Sequence, residues 1–152
     1  MTTYEFLLFC HLLFVVTWVG TDIGIQFLSL RVLGAGPQRT VDFTSDIEWL
    51  GTRLLIPASL LVVVFGVLLV NNVGFEFGDT WVILGLAGFL FSAGVGSAFL
   101  GPETGRISKL AGEKGPEDPE VLSRISRVLL VSRIELVILI LVILDMVVKP
   151  GL

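Results

Sequence analysis

The chain is poor in the residues from which soluble enzymes build their sites. Of 152 residues only 16% are charged, and there is one histidine, one cysteine and two methionines. With Cys10 alone, no disulfide can form within the chain, and thiol usage says nothing of compartment. With His11 alone, paired-histidine metal motifs are excluded. There is also no Ser/His/Asp set in a plausible order and no phosphate-cradling glycine loop. Ten Lys and Arg against fourteen Asp and Glu leave a net charge of -4, so the basic patch that nucleic acid requires is missing. The N-terminus lacks both a basic n-region and a small-residue cleavage site, so its apolar run is expected to stay as a helix rather than be removed as a signal peptide.

What is present is apolar. The chain is 54% hydrophobic with a mean hydropathy of +0.93, a composition for which lipid is the expected surrounding. The pattern predicts an all-α fold, a single domain over residues 1–152 built as a four-transmembrane-helix bundle, with helices at about 4–33, 54–72, 81–100 and 119–148. Gly34-Ala35-Gly36-Pro37 is read as the stop of the first helix and Gly101-Pro102 as the stop of the third. Residues 38–53 read as a partly helical interfacial connector with Trp49 at headgroup level. Asp118-Pro119-Glu120 has the form of a capped helix start. A parallel two-helix repeat would equate the Gly-Pro ends of helices one and three. Arg31, Arg39 and Arg53 flank the first loop, and Arg106, Lys109, Lys114, Arg124, Arg127 and Arg133 lie in or near the third, against Lys149 alone on the other side. The positive-inside rule then predicts both termini outside, in a bacterial or archaeal inner membrane.

Residues 4–33 carry the polar groups that an apolar helix has to explain. His11, Trp18 and Asp22 are separated by steps of seven and four residues and project from nearly one face. His11 is a candidate haem ligand, and Met146, at a comparable depth on the last helix, is a candidate second ligand; two copies of His11 in a homodimer are the alternative. By residue type alone, a histidine hydrogen-bonded inside the bundle is the commoner arrangement. Asp22 needs a partner, a proton or water, and Arg53 and Arg133 are candidate partners. Glu135 needs a partner on another helix, while Asp145 and Lys149, one turn apart, are expected to pair at the surface. Mid-helix Trp18 wants an acceptor for its indole N–H; Tyr4 and Trp81 suit an outer aromatic belt. Gly88, Ser92 and Gly96 make a small-residue ridge suited to close helix packing.

The stretch from Gly101-Pro102 through the charged linker to Asp145-Met146-Val147-Val148-Lys149-Pro150 resembles an uncharacterised family of small four-helix integral membrane proteins, over nearly the whole chain. Locally, His11-Leu12-Leu13-Phe14-Val15-Val16-Thr17-Trp18-Val19-Gly20 resembles the first helix of the four-helix membrane protoporphyrinogen oxidases and of the copper-resistance D family. The oxidase resemblance implies haem binding at the position of His11, together with a lysine in a later transmembrane helix. The third helix here contains no lysine, a departure that bears on the oxidase reaction and not on haem binding by His11. Three functions are therefore expected to compete: a His11-centred b-type haem or related redox site, a non-catalytic accessory or assembly subunit of a larger membrane complex, and a proton, metal or small-solute pathway along His11, Trp18 and Asp22.

Overall fold

The computed structural model describes residues 1–151, and the chain there is helical with short connections and no strand. Four long helices follow one another: α1, Thr3–Leu33; α2, Pro37–Val73; α3, Thr80–Lys114; and α4, Pro119–Val148. The start of α1 is set by Thr2-x-x-Glu5, in which each side chain bonds the other's backbone N–H, at 3.2 Å for Glu5 and 2.7 Å for Thr2. The expected stop after Leu33 is where α1 ends.

Two expected boundaries are not boundaries. Residues 38–53 are helical and run without a break into the apolar part of α2, and Gly101-Pro102 lies inside α3 rather than at its end. Proline removes one backbone donor, and its ring crowds the carbonyl four residues back, which stops a regular helix. Here the wider turn of a π-helix relieves that crowding just ahead of each proline: Gly51–Leu55 precedes Pro57, and Gly96–Leu100 precedes Pro102. The Gly51 carbonyl accepts from Ile56 N–H, and the Gly96 carbonyl accepts from Gly101 N–H. The shared Gly-x5-Pro pattern thus belongs to α2 and α3, not to the ends of helices one and three as a parallel repeat requires.

Continuity makes these two helices long. At about 1.5 Å per residue, the 37 residues of α2 reach roughly 55 Å, well past a hydrocarbon layer of about 30 Å. The surplus forms a second, water-type core. Val41 of α2, Ile107 and Ala111 of α3, and Val121, Ile125, Val128 and Leu129 of α4 are buried together there. Arg124 clamps this end, bonding the buried Glu103 at 2.5 Å and Glu120 at 3.2 Å, while Lys114 holds Glu120 at 2.7 Å.

In the apolar half, α1 packs on α2 and α3 packs on α4. Phe14 stacks on Phe65 with ring centres 5.8 Å apart. Gly85 and Gly88 of α3 lie directly under Met146 and Val142 of α4, so the small-residue face of the third helix receives the last helix. Among the described residues, three helices are long and apolar enough to cross a membrane by length and composition: α1, α2 and α3.

Candidate functional site

A partly enclosed cavity of about 280 Å³ lies between the two helix pairs. His11 and Trp18 of α1, Gly66 of α2, Phe89 of α3, and Leu139 and Met146 of α4 are among the side chains on its wall. The sequence expectation brought His11 and Met146 together on depth alone, and both face this cavity. His11 sits over Gly66, where a Cβ would come within 3.2 Å of the imidazole Cε1, so any side chain there would make the ring shift by a few tenths of an ångström. Its Nδ1 is 2.9 Å from the Val62 carbonyl oxygen. That carbonyl can only accept, so Nδ1 carries the proton and donates, and Nε2 remains free to accept a proton or coordinate a metal. A backbone carbonyl on the far nitrogen is the support that metal-bound histidines commonly have.

Trp18 meets Phe89 edge-on, with ring centres 6.0 Å apart, and with Leu139 this pair forms the floor of the cavity. Among the described residues, the buried indole N–H without an acceptor is that of Trp81.

One turn below the floor lies a polar layer contributed by the same three helices. Asp22 follows Trp18 by four residues, Ser92 follows Phe89 by three and Glu135 precedes Leu139 by four. Asp22 and Glu135 are 5% and 6% exposed and lie within hydrogen-bonding reach of each other. Ser92 donates to Glu135, Ser132 is in reach of Asp22, and the Gln26 amide donates to Ser132 at 2.7 Å. The expected arginine partners are elsewhere: Arg53 and Arg133 are both exposed, and neither makes a salt bridge among the described residues. A long side chain near the end of an apolar run reaches outward to water and headgroups, which leaves the carboxylate behind.

At the other end of the cavity, Lys149 does not pair with Asp145. It ends α4 in a left-handed conformation, at φ 49, which swings its ammonium over Phe75 and Trp81, 4.7 and 5.1 Å from the ring centres. Trp81 is correspondingly buried, 6% exposed, and packs on Phe75 rather than standing in an aromatic belt. Both Asp145 carboxylate oxygens are buried without a partner, near Gly85.

Sequence reasoning missed Ser92, Ser132, Gln26 and Gly66 as parts of these two layers. The signal available was spacing: Gln26 is four residues after Asp22 and Ser132 three before Glu135, each on the face of its acid. No group of three or more His, Cys, Asp or Glu side chains gathers in metal-binding fashion among the described residues.

Long apolar helices, an acid pair buried between them and a water-type core at one end define the class: a small all-helical protein of the lipid bilayer. The chain belongs to the family described as predicted integral membrane protein, DUF2269, whose model matches residues 5–150. No curated protein and no solved structure matches it.

Proposed function

We propose that the cavity takes a b-type haem, which His11 and Met146 would hold, giving the protein a redox or haem-related role. The observation that carries this reading is the His11–Val62 bond, which directs the free nitrogen of the only histidine away from α2. The donor set fits the group: one imidazole nitrogen and one thioether sulfur, drawn from opposite helix pairs, make a pair that haem iron accepts. The rest of the wall is largely apolar, with Tyr4 and Lys149 as its polar members and Trp18 and Phe89 among its aromatic ones. When bound, the haem would supply one-electron chemistry. The protein's part is to fix the imidazole tautomer through Val62, to seat the ring on Gly66, and to keep water out with the Trp18–Phe89–Leu139 floor.

The same reading takes all four helices across a bacterial or archaeal inner membrane with both termini outside. For α4, whose apolar run includes Arg133, Glu135 and Asp145, support comes from its exposed stripe of Leu130, Ile134, Val137, Leu141 and Leu144, a lipid-facing pattern with Glu135 turned inward. Reporter fusions to the two termini should both read as outside.

The decisive test is an oxidised and dithionite-reduced absorption spectrum of the full chain, expressed with ample haem and purified in mild detergent. A Soret band with sharpened reduced bands is expected, absent in His11→Ala and altered in Met146→Leu. A featureless wild-type spectrum, or one that survives His11→Ala unchanged, refutes the assignment.

A further inference from the structure

The polar layer under the cavity floor has more hydrogen-bond acceptors than donors. Ser92 donates to Glu135, the Gln26 amide donates to Ser132, and the Ser132 hydroxyl is left for Asp22. Asp22 Oδ2 and Gln26 Oε1 then have no donor, although each atom is buried and the Asp22 residue is only 5% exposed. Two carboxyl groups in mutual hydrogen-bonding reach cannot both be ionised acceptors; the contact itself needs a hydrogen between them.

No cation in the bundle supplies that hydrogen. The helical segments packed around the pair, residues 56–73 of α2 and 80–95 of α3, contain no charged residue. On the acids' own helices, Arg31, Arg127 and Arg133 are exposed, as is Arg53 at the π-turn of α2. His11 is eleven residues up α1 from Asp22, roughly 16 Å away and beyond the Trp18 layer. The other acid with buried, unpartnered oxygens, Asp145, is ten residues from Glu135 along α4, about 15 Å, and the buried Glu103 is held by Arg124 in the far core.

We propose that Asp22 and Glu135 form a proton-binding site in the interior of the bundle, holding one proton per chain between α1 and α4, with Ser92, Ser132 and Gln26 orienting the two carboxyls. The site would take a proton rather than a metal ion, because its two acids face each other directly, where an ion would stand between them and draw in the orphaned oxygens. One negative charge would remain on the pair, offset by the two serine hydroxyls. The assignment stands whether or not the cavity above holds a haem.

Infrared spectroscopy of the full-length protein in nanodiscs tests it, because a protonated carboxyl has a C=O stretch that shifts in D2O while a carboxylate has none in that region. At neutral pH the wild type should show such a band. The Asp22→Asn/Glu135→Gln double variant should lose it, while Asp145→Asn, which removes the other acid with unpartnered buried oxygens, should keep it. Ser92→Ala, which retains both carboxyls and removes one donor, should move the band without abolishing it; this variant decides the matter if the double variant does not fold. Persistence of the full band in the double variant overturns the proposal, as does an unmoved band in Ser92→Ala. Loss of the wild-type band when sodium replaces choline would assign the oxygens to sodium and overturn it equally.

Discussion

Gly88→Ala should separate close helix packing from helix propensity. A Cβ at Gly88 would run into Cγ2 of Val142, with the Val142 Cβ behind it at 3.6 Å. Valine in a helix has one strongly preferred rotamer, so neither γ-methyl can swing clear and α3 and α4 must move apart. Such overpacking costs about 1–3 kcal/mol. Alanine at the same time favours the helix over glycine by about 1 kcal/mol, so the net effect at position 88 is a loss of roughly 0–2 kcal/mol. Gly94, on the same helix, is exposed with nothing within 4 Å of its hypothetical Cβ, so Gly94→Ala keeps only the gain. Propensity cancels between the two variants, and the difference of about 1–3 kcal/mol is the collision alone. Gly85→Ala is the instructive intermediate: its new Cβ meets the end of Met146, a flexible thioether that can turn aside, so stability should fall less while the cavity wall shifts. Reversible unfolding in mixed detergent micelles would read all three, and Val142→Ala should rescue Gly88→Ala in a double-mutant cycle with a coupling of about 1 kcal/mol or more. Equal stability of Gly88→Ala and Gly94→Ala would refute the direct α3–α4 contact.

Two further outcomes concern the water-type core. Arg124→Met leaves the buried Glu103 with only the distant Arg106, at 3.4 Å and largely solvent-exposed, and should cost about 2 kcal/mol in chemical denaturation; adding Glu103→Gln should recover much of that loss, and no recovery would place the cost in lost packing. Glu120 is held below the usual carboxylate range by its bond to Lys114 and then by Arg124. Its folded form therefore binds a proton less readily than its unfolded form, so its contribution is present above about pH 4.3 and disappears as the pH falls through the lower folded value. Thermal melts taken downward from neutral pH should show a shallower acid decline in Glu120→Gln than in wild type; superimposable declines would refute the linkage.

Much of this protein was legible from its sequence because the bilayer leaves few options. Long apolar runs must be helices, since every backbone polar group has to be satisfied within the segment, and the face carrying Trp18 and Asp22 had to look into protein, where both are buried. The stop after Leu33 and the placing of His11 and Met146 at one depth follow from spacing and residue type alone, whereas the helix cap at Thr2 was not read. Local rules misjudged Gly101-Pro102 and the stretch before Pro57, because whether a proline ends a helix depends on whether the preceding turn can widen, and the π-turns do that. They also misjudged the polar partners. An acid and a base one turn apart, as Asp145 and Lys149 are, look like a pair in sequence, but the left-handed turn at Lys149 takes its ammonium to Phe75 and Trp81. Asp22 was expected to have a partner, a proton or water, with Arg53 and Arg133 as candidates; neither arginine pairs with it, and Glu135 lies beside it. Which helices adjoin, and at what rotation, decides that pairing. It is set by the fit of Gly85 and Gly88 under Met146 and Val142 and of His11 over Gly66, contacts between residues far apart in the chain that no local pattern encodes.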